Sequence, residues 1–132
     1  MIFVDTSFWV AIVNPRDTFH EAARHLIRAT DSARLTTSNI LVGETWTRLN
    51  SRCGHRTAVA ALDSITASPR LQIASVDEGL EADAFSWLRK RDERAYSFAD
   101  ATSFALMRRE RISRALTFDS DFEAAGFEIV RP

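Results

Sequence analysis

Met1-Ile2-Phe3-Val4-Asp5-Thr6-Ser7 opens the chain, and its reading decides the fold. A short apolar run closed by an acid suits a buried strand, with Asp5 emerging at its end. Far along the chain, Arg114-Ala115-Leu116-Thr117-Phe118 repeats the arrangement and is followed by Asp119. A carboxylate at the end of an apolar strand is costly to bury unless it is paired. Both acids therefore need a structural or chemical reason to be there.

Between these two strands the chain alternates helix and strand. Asn14-Pro15 marks a loop. Phe19, Ala22, Ala23, Leu26 and Ile27 recur at helical spacing and predict a helix over Asp17–Thr30. Arg34–Thr37 is a short strand candidate. Ser38 or Asn39 caps a helix to about Cys53, which Gly54 stops. His55–Ala67 forms the next, closed by Ser68-Pro69. Leu71–Val76 reads as a strand, Asp77 caps a helix to about Arg91, and Ser97 caps another through about Arg109. A short helix, Gly126 and a strand over Phe127–Arg131 complete the chain. This alternation argues for a parallel sheet with helices on both faces. In such folds ligands bind beyond the carboxyl ends of the strands, where the strand order switches.

The 132 residues have the length of one domain, and no repeat or Pro/Gly linker divides them, so residues 1–132 are read as a single domain. The one cysteine, Cys53, excludes an internal disulfide and fits a reducing compartment. The apolar start lacks a basic leader, and no apolar run is long enough to span a bilayer. The expectation is a cytoplasmic protein without a membrane segment. A formal net charge of -1 excludes a uniformly basic nucleic-acid binder. Lys90 is the only lysine, so the positive charge is nearly all arginine, whose planar fork suits phosphate. The plain alternative is a solvated arginine-rich surface.

Asp100 lies in the first turn of the helix that Ser97 caps, and Glu44 in the early turns of its own helix. Helix starts follow strands, so Asp5, Glu44, Asp100 and Asp119 can converge at one edge of the sheet. Crowded carboxylates repel one another unless a cation pairs them. Magnesium takes hard oxygen ligands and completes its shell with water and phosphate oxygens. It activates water and stabilises oxyanions, which points to phosphodiester hydrolysis. Each acid also has a structural reading. Ser97-Phe98-Ala99-Asp100 matches a capping box. Asp119 or Asp121 can cap the short helix that follows. Glu44 can be a solvated helix acid, although Leu41, Val42 and Trp46 beside it are apolar. His20, His25 and His55 share no ligand spacing, the glycines form no phosphate loop, and no serine-nucleophile elbow is present. Phe8, Trp9, Trp46, Phe85 and Trp87 are read as mostly core.

Four segments together carry a resemblance. Ile2-Phe3-Val4-Asp5-Thr6-Ser7 resembles the opening of PIN-domain ribonucleases. Thr37-Ser38-Asn39-Ile40-Leu41-Val42-Gly43-Glu44-Thr45 resembles their second motif, Ser97-Phe98-Ala99-Asp100-Ala101 the third, and Leu116-Thr117-Phe118-Asp119-Ser120-Asp121-Phe122 the fourth. Their order and spacing, and the chain's length, are similar to those of the small VapC toxins of type II toxin–antitoxin pairs. The resemblance implies a three-layer α/β/α sandwich around a mostly parallel sheet. It implies a Mg2+-dependent endoribonuclease, with Mn2+ as a substitute, that cleaves structured RNA and inhibits translation. Asp5 and Asp100 would be the principal metal ligands, with Asp119 also binding metal. Glu44 and the auxiliary Asp121 would complete the acidic pocket, and Ser7 and Thr117 would be its hydroxyls. The implied partners are RNA, a VapB-type antitoxin and a second copy of the chain. Ile40, Leu41 and Trp46 are candidates for the apolar contact with a partner. Arg89, Arg91 and Arg94, or Arg108, Arg109, Arg111 and Arg114, are candidates for holding the RNA backbone. Water as nucleophile implies 5′-phosphate and 3′-hydroxyl product ends. Two rivals fit the first strand's acid: a haloacid-dehalogenase-like phosphatase, which would need an acid where Ser7 stands, and a receiver domain, which would need a lysine after a late strand. A non-catalytic PIN-like module should have lost pocket acids that are all present here.

Overall fold

Five short strands line up in the order β3-β2-β1-β4-β5, every neighbouring pair parallel, in the computed structural model, which describes residues 1–132. They are β1 (Ile2–Val4), β2 (Leu35–Ser38), β3 (Leu71–Ala74), β4 (Arg114–Leu116) and β5 (Glu128–Ile129). Seven helices connect them: α1 (Thr6–Val13), α2 (His20–Ala29), α3 (Asn39–Cys53), α4 (His55–Ala67), α5 (Glu78–Lys90), α6 (Phe98–Arg109) and α7 (Asp121–Ala124). The parallel sheet expected from the alternating pattern, and the three-layer α/β/α sandwich that the resemblance implies, are the arrangement observed. No helix is long and apolar enough to cross a membrane.

Side chains alternate across a strand, so β1 feeds two cores at once. Ile2 and Val4 join Phe8, Ala11, Leu26, Leu35 and Leu116 on one face. Phe3 joins Leu41, Leu80, Phe104, Met107, Ala115 and Phe122 on the other. A third cluster of Val10, Leu49, Ala58 and Ala61 fastens the α3–α4 hairpin to α1. Gly54 joins those two helices at φ +93°, ψ 166°, a conformation open in practice only to glycine. The centre of the sheet also buries hydroxyls, and each finds a hydrogen-bond partner. Thr36 Oγ1 donates to the Gln72 carbonyl and Thr37 Oγ1 to the Val4 carbonyl.

Several elements differ from the sequence reading. Helix α1 was not expected, because Thr6-Ser7-Phe8-Trp9-Val10-Ala11-Ile12-Val13 is apolar almost all round and shows no amphipathic period. It buries Thr6, Phe8, Val10 and Ala11 directly beneath the end of β1. Helix α2 starts at His20, not Asp17, because the Asp17 carboxylate accepts from the Phe19 N–H and holds a turn there. Strands β3, β4 and β5 are shorter than their apolar runs. Leu41, offered as partner surface, is core at 1% exposure, with Ile40 and Trp46 half-buried. Phe85, read as core, is 42% exposed and stacks on Phe98.

Phe104 is the hub of the second face, with ring centroids at 5.3 Å from Trp87, 5.0 Å from Phe122 and 5.6 Å from Phe127. Phe104→Ala should cost about 3–5 kcal/mol, as fully buried aromatics do. Urea denaturation measures this directly, and a loss below about 1 kcal/mol would contradict this packing role.

Candidate active site

The strand order reverses at β1. Chain progress from β1 runs outward through β2 to β3, then returns to β4 on the other side of β1. The crevice beyond the carboxyl ends of β1 and β4 is therefore the switch point where parallel α/β sheets bind ligands. Asp5 and Thr117 follow those two strands, and the Asp5 N–H donates to the Leu116 carbonyl at 3.0 Å, tying the strand ends together.

Asp5 is only 5% exposed. Its Oδ2 accepts from Ser7 Oγ at 2.7 Å, from Thr117 Oγ1 at 2.9 Å and from the Ser7 N–H at 3.3 Å, the last bond capping α1. The two hydroxyls themselves accept from the chain: Ser7 Oγ from the Phe118 N–H, and Thr117 Oγ1 from the Asp119 N–H, both at 3.0 Å. Each hydroxyl has one proton, and each is directed at Asp5. Ser7 and Thr117 thus hold Asp5 in one orientation and link β4 to it. Burial raises the Asp5 carboxyl above its usual range, the Ser7 and Thr117 hydrogen bonds oppose this, and the nearby Asp119 charge adds to it.

Asp100 does two jobs. It closes the capping box of α6: Asp100 N–H donates to Ser97 Oγ at 2.9 Å, and Ser97 N–H donates to Asp100 Oδ2 at 3.3 Å. It also faces the other acids. Burial first, opposed by its Ser97 bonds and reinforced by the charges of Asp119 and Asp5, pushes its carboxyl up to about 7. Asp100 is thus both the capping-box acid of α6 and a neighbour of the other carboxylates. Asp119 likewise accepts from the Asp121 N–H at 2.9 Å through Oδ1, opening α7.

The tightest carboxylate group is Asp100, Asp119 and Asp121, with one oxygen from each within 4.8 Å of the others. Asp121, ranked auxiliary from the sequence, belongs to this group. Asp5 adjoins it, joined through Thr117 and by charge. In all four aspartates the hydrogen bonds accepted from the chain fall on a single oxygen. The second oxygen of each accepts no hydrogen bond from the chain. A half-buried, oxygen-only donor set whose members repel one another fits a hard divalent cation.

Glu44 is half-buried and its ion-pair partner is Arg48, one turn on, at 3.7 Å. It makes no hydrogen bond to the aspartates. Arg94, one of the arginines named from sequence as able to hold RNA, reaches Asp121 and Ser120. No sequence pattern connects residues so far apart. Of the other arginines in those clusters, Arg109 is tied to Asp77 and Arg91 to Glu93, while Arg108 lies over the rings of Trp87 and Phe127. His20 Nδ1 lies 2.7 Å from the Ala11 carbonyl and is structural.

A parallel α/β sheet with an aspartate pocket at its switch point defines a class: α/β proteins whose carboxyl-edge acids could hold a metal ion. Within that class, the PIN domain matches residues 2–128. The chain belongs to the PIN-domain family. It is 53% identical over 132 residues to the 23S rRNA-specific endonuclease VapC20 of Mycobacterium tuberculosis, covering 100% of this chain and 99% of that protein. The crystal structure of that organism's VapC20, described as a sarcin–ricin loop cleaving toxin, superposes with a TM-score of 0.94 at 51% identity over 100% of both chains. VapBC2 of Rickettsia felis, bound to a promoter DNA fragment, shares the fold at a TM-score of 0.73 and 13% identity, with 98% of each chain covered.

The raised Asp100 carboxyl has a measurable consequence in chelator. Between 3.8 and about 7 the folded chain holds a proton on Asp100 that the unfolded chain has lost. Its contribution to stability therefore falls as pH rises through that window. Asp100→Asn keeps an oxygen for the Ser97 N–H and cannot ionise. The variant should melt above the wild type at pH 8 and lose that advantage near pH 4. Melting curves with equal separation at both pH values would refute the electrostatic picture.

Proposed function

We propose that the chain is a VapC-type toxin: a Mg2+-dependent endoribonuclease that hydrolyses a phosphodiester bond in structured RNA and so arrests translation. The observation that carries this is the grouping of Asp100, Asp119 and Asp121 within 4.8 Å, beside buried Asp5, at the switch point of the sheet. A ribosomal RNA loop is the first substrate to test, since the 53% identical relative is a 23S rRNA-specific endonuclease. A ribosomal substrate would put this work in the cytoplasm. Residues 1–132 act as one PIN-like domain.

Asp100, Asp119 and Asp121 would hold the cation, with Asp5 supporting the same pocket. Magnesium, or manganese in its place, supplies the positive charge that activates water and stabilises phosphate oxyanions. Ser7 and Thr117 fix the Asp5 rotamer, and the α6 capping box fixes Asp100, so the acids are set before substrate arrives. Glu44, paired with Arg48 on α3, is the further acid proposed to complete the pocket. Partners extend the reading: a second copy of the chain, and a VapB-type antitoxin. An apolar groove of about 600 Å3 along α1, α2 and α4, lined by Trp9, Ile12, Ile27, Ala61 and Ile65, supports an amphipathic antitoxin segment as occupant.

Asp5→Asn and Asp100→Asn should each abolish cleavage of a ribosomal RNA fragment while the folded circular dichroism spectrum is kept. Metal stabilisation of several kcal/mol corresponds to a loss of at least about 100-fold in rate. Chelator should silence the wild type, and Mg2+ or Mn2+ should restore it. Wild-type rates in Asp5→Asn, or full activity in excess chelator, would defeat the proposal.

A further inference from the structure

Arg94 is the one cationic side chain that ion-pairs with the aspartate group. Its Nε donates to Asp121 Oδ1 at 2.6 Å, and its Nη2 donates to Ser120 Oγ at 2.9 Å. The contact spans 27 residues of sequence, unlike the Arg48–Glu44 pair, which lies one turn apart on α3. Arg94 stands in the stretch between α5 and α6, three residues before Ser97, the cap of the helix that carries Asp100. The segment that presents Asp100 to the pocket thus also presents a guanidinium to its neighbour.

The side chain is 41% exposed, and its remaining guanidinium protons have no partner in the chain. A pair this exposed is weakly held. A divalent cation on Asp100, Asp119 and Asp121 would share the Asp121 carboxylate with Arg94, and the two positive charges would repel. Each must weaken the other's hold by the same factor, because coupling between binding events is reciprocal. A guanidinium loosened from a carboxylate is the side chain best matched to a phosphate, which it grips through two parallel N–H bonds.

We propose that Arg94 is a built-in counter-ion that competes with the divalent cation for Asp121 and, once displaced, holds a phosphate of the RNA laid over the pocket. The second half rests on the nuclease reading; the first does not. The bland role for the contact is to fasten the 91–97 stretch to the start of α7.

The test has two arms, using the full chain with Arg94→Gln and Arg94→Lys. In the first, Mn2+ is titrated calorimetrically into RNA-free protein. Arg94→Gln should bind Mn2+ about fivefold more tightly, the scale of an exposed pair, and Arg94→Lys should stay near wild type. In the second, cleavage kinetics are measured at saturating Mn2+. Arg94→Gln should raise KM about tenfold, the scale of a lost charged hydrogen bond, with a smaller effect on kcat. Arg94→Lys, which keeps the charge but not the fork, should recover KM only in part. Unchanged or weaker Mn2+ binding in Arg94→Gln overturns the competition. An unchanged KM, with a lowered melting temperature, identifies Arg94 as a fastener and overturns the phosphate role. If the wild type cuts no RNA, the nuclease reading and the phosphate role fall together, while the Mn2+ arm still decides the competition.

Discussion

The burial of the Asp5 carboxylate between the ends of β1 and β4 constrains the whole carboxyl edge of the sheet. A charge in that position is expensive unless its oxygens are satisfied. Two hydroxyls and one N–H converge on Oδ2, and the hydroxyls are themselves anchored by the N–H groups of Phe118 and Asp119. Asp5 N–H meanwhile holds the end of β4. The path of the chain after β4, which delivers Asp119 and Asp121, is therefore set by how Asp5 is solvated by protein. Helix α1 belongs to the same arrangement, because Asp5 is its cap and its apolar body fills the space beneath.

The pocket trades stability for chemistry. Asp100 closes a capping box, which favours the fold, yet burial and two neighbouring carboxylates hold its acidity near neutral. Asp121 is neutralised in part by Arg94, and Asp119 spends one oxygen on the start of α7. Each acid thus has a local partner that keeps it in place and a second oxygen left over. That division lets Asp5 and Asp100 take part in capping α1 and α6 while each keeps one oxygen free of bonds to the chain.

Most of the architecture was legible because strands and helices here announce themselves by different means. Ser97, Ser38 and Asp77 are caps in sequence and in structure, each accepting the expected N–H. Gly54 ends α3 where the sequence says it should. Helix α1 was hidden because uniform apolarity erases the period that reveals a helix. Leu41 and Phe85 went to the wrong side of the surface for a related reason: local pattern does not say which face a neighbouring helix covers. Asp5, Asp100 and Asp119 were read together from strand ends, helix starts and family resemblance, and they lie together. Glu44 was read with them but pairs with Arg48 and makes no hydrogen bond to the aspartates, while Asp121 enters the tight cluster through the turn at Asp119. Arg94 was visible as a cation but not as the partner of an acid, because the stretch before α6 has no periodic signal to place it.

The ends left on RNA cut by the purified chain test the central claim most directly. An aspartate pocket that uses a divalent cation to activate water leaves a 5′-phosphate and a 3′-hydroxyl at the cleaved bond. Labelling of the new ends, before and after phosphatase treatment, distinguishes these from other termini. The account predicts 5′-phosphate ends that form only with Mg2+ or Mn2+ present. Ends carrying a 2′,3′-cyclic phosphate, formed equally well in chelator, would mean that the 2′-hydroxyl is the nucleophile and would contradict it.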